Sequence, residues 1–354
     1  MHSDERILED RVKHILQIAL AVLALAASGC ASGAPSATAP LTMRVGYFPN
    51  LTHAQAVIGF SDNTFQKALG DQMKIDAKIF NAGPSAIEAL FASQLDLAYI
   101  GPNPAINGFV KSKGEALRII AGATSGGAVL VVRDDAGIKT PADFRGKKIA
   151  TPQLGNTQDV AARAWLMKQG FKLKEQGGDT QVMPVANPDI LTLFKKKEID
   201  AAWVPEPWGA RLVREANGKI FLDERELWQG GQFTTACVIV NTKFLKEQPA
   251  AVKKFLAAHV ELTQRINADP TTAKQKLNAE IARLTGAALP QAILDDAWSR
   301  QTVTFDPIRA SLFGSAEAAF KLGFLGDTMP KLDSIYDLSI LNAVLKEQNL
   351  ATVE

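Results

Sequence analysis

"GPSAIEALFASQLDLAYIG" (residues 83–101) and "NPDILTLFKKKEIDAAWVP" (residues 187–205) carry one pattern twice. An ungapped shift of 104 residues (187 minus 83) lays Pro84 on Pro188, Ile87 on Leu191, Leu90 on Phe194, Asp96 on Asp200 and Tyr99 on Trp203. Each copy reads as a proline at a helix start, an amphipathic helix, a tight turn carrying an acid, and a buried strand. Any two αβ units share some of this. A register that holds through helix, turn and strand together points further, to two similar lobes.

Outward from this pair, short β-type runs alternate with helical spacing along most of the chain. The first set comprises "MRVGYF" (43–48), a helix over 55–69, "MKIDAKIF" (73–80), a helix over 84–93, "LDLAYI" (95–100), a helix after Pro104, and "LRIIAGA" (117–123). A second set comprises "AVLVVR", "KKIATP", a helix over 158–169, "TQVMPV", a helix over 188–197, "DAAWVP", and a helix from Trp208. After "TTACVIVN" (234–241) the pattern turns mostly helical. This order predicts an α/β fold in which each lobe is an open sheet flanked by helices on both faces.

In such sheets ligands sit beyond the carboxyl ends of the strands, where loops and helix starts converge. The segments there are small and polar: "PNLTH" (49–53), "NAGPS" (81–85), "GPNP" (101–104), "TSGG" (124–127), "PQLGNTQ" (152–158), "ANP" (186–188) and "PEPW" (205–208). Together they describe a cleft between the lobes. They supply the candidate contacts Asn50 and His53, Gly83, Gly101 and Asn103, Ser125 and Gly126, Asn156 and Thr157. In "QLGNTQDVAARAW" (153–165), Gly155 permits a tight turn, Asn156 or Thr157 can cap the helix, and the helix start favours an anion. It is no phosphate-binding P-loop, because the Lys-Ser/Thr pair is missing.

Glu206, between two prolines, can read an amine on a ligand or pair with Arg163 or Arg211 to hold a lobe; an unpaired buried acid is costly, which favours the pairing. Trp208 and Phe48, both in loops, are candidate aromatic walls.

Thirty-nine basic against 37 acidic side chains give a formal charge of +2. No basic block or basic helix face stands out, so nucleic acid is not an expected partner. Of the four histidines, His2 and His14 lie in the leader, and His53 and His259 are isolated. No HExxH, CxxC or GxSxG pattern occurs, so neither catalysis nor a metal or cofactor is expected.

The apolar run from Ile15 to Ala27 suits a signal-peptide core better than a bilayer span. Ala27, Ser28 and Gly29 before Cys30 resemble a bacterial lipobox, in which the cysteine is lipidated; an ordinary cleaved leader is the alternative. Either way the protein is expected to be exported. The other cysteine, Cys237, sits in "ACVIV" and reads as a buried small hydrophobe.

The stretches "VGYFPNLTHAQAVIG" (45–59), "FNAGPSAIEAL" (80–90), "DLAYIGPNPAI" (96–106), "IKTPADFRGKKIATPQLGNTQ" (138–158) and "IDAAWVPEPWGARL" (199–212) resemble, in order, the solute-binding proteins of ABC importers in the aliphatic-sulfonate, taurine and nitrate group. The resemblance implies a two-lobed periplasmic-binding-protein fold (type II) with a cleft between mixed sheets. Residues 1–29 would be a signal peptide and 30–42 a lipoprotein tether; 43–124 with 235–354 would form one lobe and 125–234 the other.

It also implies a compact anionic head held by the Gly101, Ser125 and Asn156/Thr157 loops and delivery to a permease and its ATPase; with the lipobox-like stretch before Cys30, the expected form is a periplasmic or cell-surface monomer with a lipid anchor on Cys30. Alkanesulfonate and taurine lead the ligand classes, with nitrate, a sulfate ester or a pyrimidine as alternatives. An enzyme of the pyrimidine-precursor synthase type shares the architecture, but its cysteine-rich motif is missing here.

Overall fold

The computed structural model describes residues 40–354. The leader, Cys30 and all but the end of the tether lie outside the described residues. Strands β1 (Leu41–Tyr47), β2 (Met73–Ile79), β3 (Leu97–Ile100) and β4 (Leu117–Gly126) are followed by β5 (Ala128–Arg133), β6 (Lys148–Thr151), β7 (Gln181–Pro184), β8 (Ala201–Pro205), β9 (Gly218–Asp223), β10 (Thr234–Asn241) and β11 (Gln301–Val303).

Between them lie α1 (Ala54–Ser61), α2 (Thr64–Leu69), α3 (Gly83–Phe91), α4 (Pro102–Lys111), α5 (Thr157–Lys168), α6 (Asn187–Lys195) and α7 (Trp208–Ala216). After β10 come α8 (Thr242–Glu247), α9 (Pro249–Ala268), α10 (Pro270–Thr285), α11 (Gln291–Trp298), α12 (Arg309–Lys321) and α13 (Ser339–Glu347).

The strands form two mixed sheets, one in the order β11-β4-β10-β3-β1-β2 and one in the order β7-β6-β8-β5-β9. In each, a central strand (β1 or β6) pairs in parallel with both neighbours, and the sheet then continues with antiparallel strands. The fourth position of each sheet is filled from beyond a crossing: β5 follows β4 into the second sheet, and β10 follows β9 back into the first. Gly126 and Gly127, at φ +75° and +76°, carry the first crossing in a backbone region that residues with a Cβ rarely adopt.

The duplicated pattern is duplicated structure. Helix α3 and strand β3 map onto α6 and β8 at the same shift of 104. Asp96 accepts the Arg44 backbone N–H at 2.8 Å, and Asp200 accepts that of Lys148 at 2.9 Å; Arg44 and Lys148 are themselves 104 apart. An acid in the turn thus fixes the register of the neighbouring parallel strand in both lobes, which is why both copies need it.

Both faces of each sheet are covered, and the first is packed partly by the C-terminal helices. Phe65 of α2 and Phe255 of α9 stack at 4.4 Å in that core. Truncating either to alanine costs about 3–5 kcal/mol.

Three local expectations are corrected. The helix over 55–69 is broken, because Asn63 adopts the left-handed conformation and Asp62 Oδ1 accepts the Thr64 N–H to restart α2. "TSGG" is not a loop: Thr124, Ser125 and Gly126 belong to β4, paired with β10 and β11. Strands β9 and β11 add edges that the alternating pattern did not reveal.

Candidate ligand-binding site

A cavity of ≈ 30 Å³ lies between the two sheets. The first lobe lines it with Phe48, Asn50, Thr52, His53, Gly83, Gly101, Pro104 and Thr235, and the second with Asn156, Thr157, Gln158 and Pro205. Four helical segments begin at this point: the 3-10 turn Leu51–His53 that runs into α1, then α3, α4 and α5. Each start brings the positive end of a helix dipole and backbone N–H groups without intrahelical partners, although in α4 Pro102 and Pro104 leave only that of Asn103. Among the described residues, no Lys or Arg side chain lines the cavity.

Helix α5 is the sharpest of these starts. Asn156 caps it, its Oδ1 accepting the Asp159 N–H at 2.8 Å, which leaves the N–H groups of Thr157 and Gln158 at the open end. The Thr157 hydroxyl is buried and has no hydrogen-bond partner. Gly101 faces it, and a Cβ there would collide with Thr157 Oγ1, so the close approach of the lobes at this point depends on glycine.

A negative charge stands behind the donors. Asp159, fully buried, accepts from Thr151 Oγ1 (2.8 Å), Gly155 N (2.9 Å) and Arg163 Nε (2.9 Å). Arg163 also reaches Glu175. The carboxylate therefore shapes the "PQLGNTQ" loop while its charge is balanced by Arg163, and the sequence offered Arg163 to the wrong acid.

His53 is buried against Phe48, rings stacked at 4.4 Å. The Phe48 N–H donates to Nδ1 at 3.3 Å, so the neutral ring carries its proton on Nε2. Burial pulls its pKa down to about 3, and the imidazole stays an uncharged donor at neutral pH.

Of the twelve residues singled out in the sequence, seven meet here: Phe48, Asn50, His53, Gly83, Gly101, Asn156 and Thr157. The other five are placed elsewhere. Ser125 and Gly126 are held in β4, where the Ser125 hydroxyl accepts the Phe233 N–H and the Gly126 carbonyl accepts the Thr235 hydroxyl. Asn103 points into its own lobe and donates to the Ser315 carbonyl at 3.2 Å.

Glu206 is fully buried and pairs with Arg300 at 2.7 Å, bridging the second sheet to the segment before β11. Burial holds its carboxyl above the ordinary range against the opposing pull of Arg300. Trp208 lies outside the cavity, its indole N–H donating to Asn50 Oδ1 at 3.2 Å across the lobes. The residues not foreseen are Thr52, Pro104, Gln158, Pro205 and Thr235. All but Thr235 sit within the quoted polar loops; Thr235 is at the start of a strand, where only the crossing of β10 into the first sheet could have placed it.

The buried Cys237 points its thiol at the Ile100 carbonyl (3.4 Å), and burial pushes its pKa up to about 12. Among the described residues, no group of three or more His, Cys, Asp or Glu is placed to hold a metal ion.

Two α/β lobes joined by crossing strands and meeting around a polar cavity constitute a two-lobed periplasmic-binding-protein fold (type II). The chain belongs to the NMT1-like family, whose profile matches residues 36–283. It is 28% identical to the taurine-binding periplasmic protein of Escherichia coli K12 over 233 residues, 65% of this chain and 69% of that one. The periplasmic aliphatic sulphonate binding protein SsuA from Escherichia coli superposes with a TM-score of 0.65 at 23% identity, covering 84% of this chain and 96% of that one. The periplasmic nitrate-binding protein NrtA from Synechocystis PCC 6803 superposes with a TM-score of 0.74 at 16% identity, covering 87% and 89%.

Proposed function

We propose that this chain is the extracytoplasmic solute-binding component of an ABC importer, capturing a small organosulfonate-like anion, an alkanesulfonate or taurine, and handing it to a membrane permease and its ATPase. The observation that carries this reading is the convergence of four helix starts and the unpartnered Thr157 hydroxyl on a cavity without a cation. Fixed N–H and O–H dipoles in a desolvated site hold an anionic head without a buried lysine or arginine. The taurine- and sulphonate-binding relatives support the ligand class.

Binding energy shifts the balance between open and closed lobes, and no covalent step is involved. The protein acts as a monomer outside the cytoplasm, tethered through a lipid on Cys30. Nitrate is the second reading, favoured by the small cavity and the likeness to the nitrate-binding fold.

A thermal-shift and calorimetry panel of methanesulfonate, taurine, nitrate, a sulfate ester and a pyrimidine tests both readings, because a specific ligand raises apparent stability by mass action. Binding of a sulfonate is expected. Response to nitrate alone selects the second reading, and response to the pyrimidine alone overturns both.

A further inference from the structure

Phe48 and Asn50 are walls shared by two spaces. On one side is the ≈ 30 Å³ cavity; on the other is a chamber of ≈ 360 Å³ between the same lobes. The small cavity has room for roughly two water-sized groups, enough for a compact head and little else. Whatever is attached to that head must extend elsewhere, and the chamber that shares its walls is the adjoining space.

The chamber's lining is mixed, polar side chains alternating with an apolar set. Phe48, Ile79, Trp208, Ile281, Leu284 and Leu289 contribute to its lining. Ile79 is 48% exposed, an uncovered branched side chain at the mouth of a cleft. The charged groups that line the chamber are Arg211 and Glu215, and they neutralise each other: Arg211 Nε donates to Glu215 Oε1 at 2.8 Å. Arg211 also lies 4.7 Å over the Trp208 ring, and Glu215 accepts a second cation, Lys195, at 3.3 Å. Asn187, buried and with no partner for Oδ1, adds a neutral amide.

Among the described residues, the carboxylates around the two spaces are already paired, which leaves none for an ammonium group. Glu206 is paired with Arg300, Asp159 with Arg163, and Glu215 with Arg211 and Lys195. An ammonium two carbons from a bound sulfonate would lose part of its hydration and meet hydrocarbon, neutral amides and a carboxylate already shared by two cations, which is costly.

We infer that the outer chamber seats an uncharged hydrocarbon portion of the ligand, so that the protein selects alkyl- or arylsulfonates over taurine. This rests on the anionic-head reading above. Transfer of a tail from water into such a chamber strengthens binding by about fourfold per fully buried methylene. The tail therefore supplies affinity, and the head supplies orientation.

Calorimetry of the full chain at pH 7 against methanesulfonate, pentanesulfonate, benzenesulfonate and taurine tests the inference. Pentanesulfonate or benzenesulfonate is expected to bind at least tenfold tighter than methanesulfonate, with taurine no tighter than methanesulfonate. Leu284→Asp and, separately, Ile79→Asp, both on partly exposed positions, should narrow the pentanesulfonate to methanesulfonate ratio at least threefold. Equal affinity for the two alkanesulfonates, an unchanged ratio in both variants, or taurine as the tightest ligand would overturn the tail assignment while leaving the anionic head intact. Failure of every sulfonate to bind would instead overturn the head reading on which it rests.

Discussion

The hydroxyl of Thr157 occupies the space that a side chain on Gly101 would need. The two residues belong to opposite lobes, so their contact exists only when the lobes are together. Gly101 itself has an ordinary backbone (φ −71°, ψ 156°), which alanine adopts without strain. Gly101→Ala should therefore fold normally and close poorly. Ligand affinity is expected to fall at least tenfold with an unchanged melting temperature of the ligand-free protein, and small-angle scattering should show no compaction on adding ligand.

Removing donors at the start of α5 tests the anion site from the other side. Asn156→Ala with Thr157→Ala deletes the cap and the unpartnered hydroxyl, at a cost in helix stability of about 1 kcal/mol. Calorimetry should show at least a tenfold loss of affinity with the circular dichroism spectrum retained. Unchanged affinity would mean that the ligand does not face this helix.

Glu206 and Arg300 join the two lobes outside the lining of the small cavity. Arg300→Met strands a buried carboxylate and should cost about 3–5 kcal/mol in urea unfolding. Glu206→Gln combined with Arg300→Met should cost less than Arg300→Met alone, because the stranded charge is then gone. Additive losses would show that the two side chains act independently.

Stability should fall in mild acid, and the sign follows from three buried groups. His53 and His259 have pKa values pulled down by burial to about 3 and about 4, whereas each titrates near 6.5 when unfolded. As pH drops from 6.5 toward 4 the unfolded chain takes up protons that the folded chain refuses, and each histidine removes up to about 1.4 kcal/mol per pH unit.

Glu224 opposes this. Burial raises its pKa from 4.5 to about 7, with the Trp203 indole N–H donating to it at 2.8 Å. Its contribution is present below pH 4.5 and lost as pH rises toward 7. Denaturant titrations at pH 7 and pH 5 should therefore show a larger acid loss in Glu224→Gln than in the parent chain.

The αβ units were legible because their determinants are local: the proline, the apolar spacing and the turn acid recur together at residues 83–101 and 187–205. The cleft loops were legible for the same reason, and seven of the proposed contacts do meet. What escaped depends on distant partners. Ser125 and Gly126 looked like loop residues until β10 and β11 paired with them. The partner of Glu206 is 94 residues away in sequence, in a helical region whose packing no local pattern announces. Thr235 enters the site only because its strand returns from the other lobe.

That return has another consequence. Everything between Gly127 and Phe233 is one uninterrupted segment, and its two ends touch, since the Gly126 N–H donates to the Phe233 carbonyl at 3.1 Å. In the language of chain connectivity, the second lobe is an insert clasped at its neck. Such a piece can be exchanged between relatives by a single cut and a single join at each end. A third of the cavity lining, Asn156, Thr157, Gln158 and Pro205, would travel as one cassette while the C-terminal helices stayed behind.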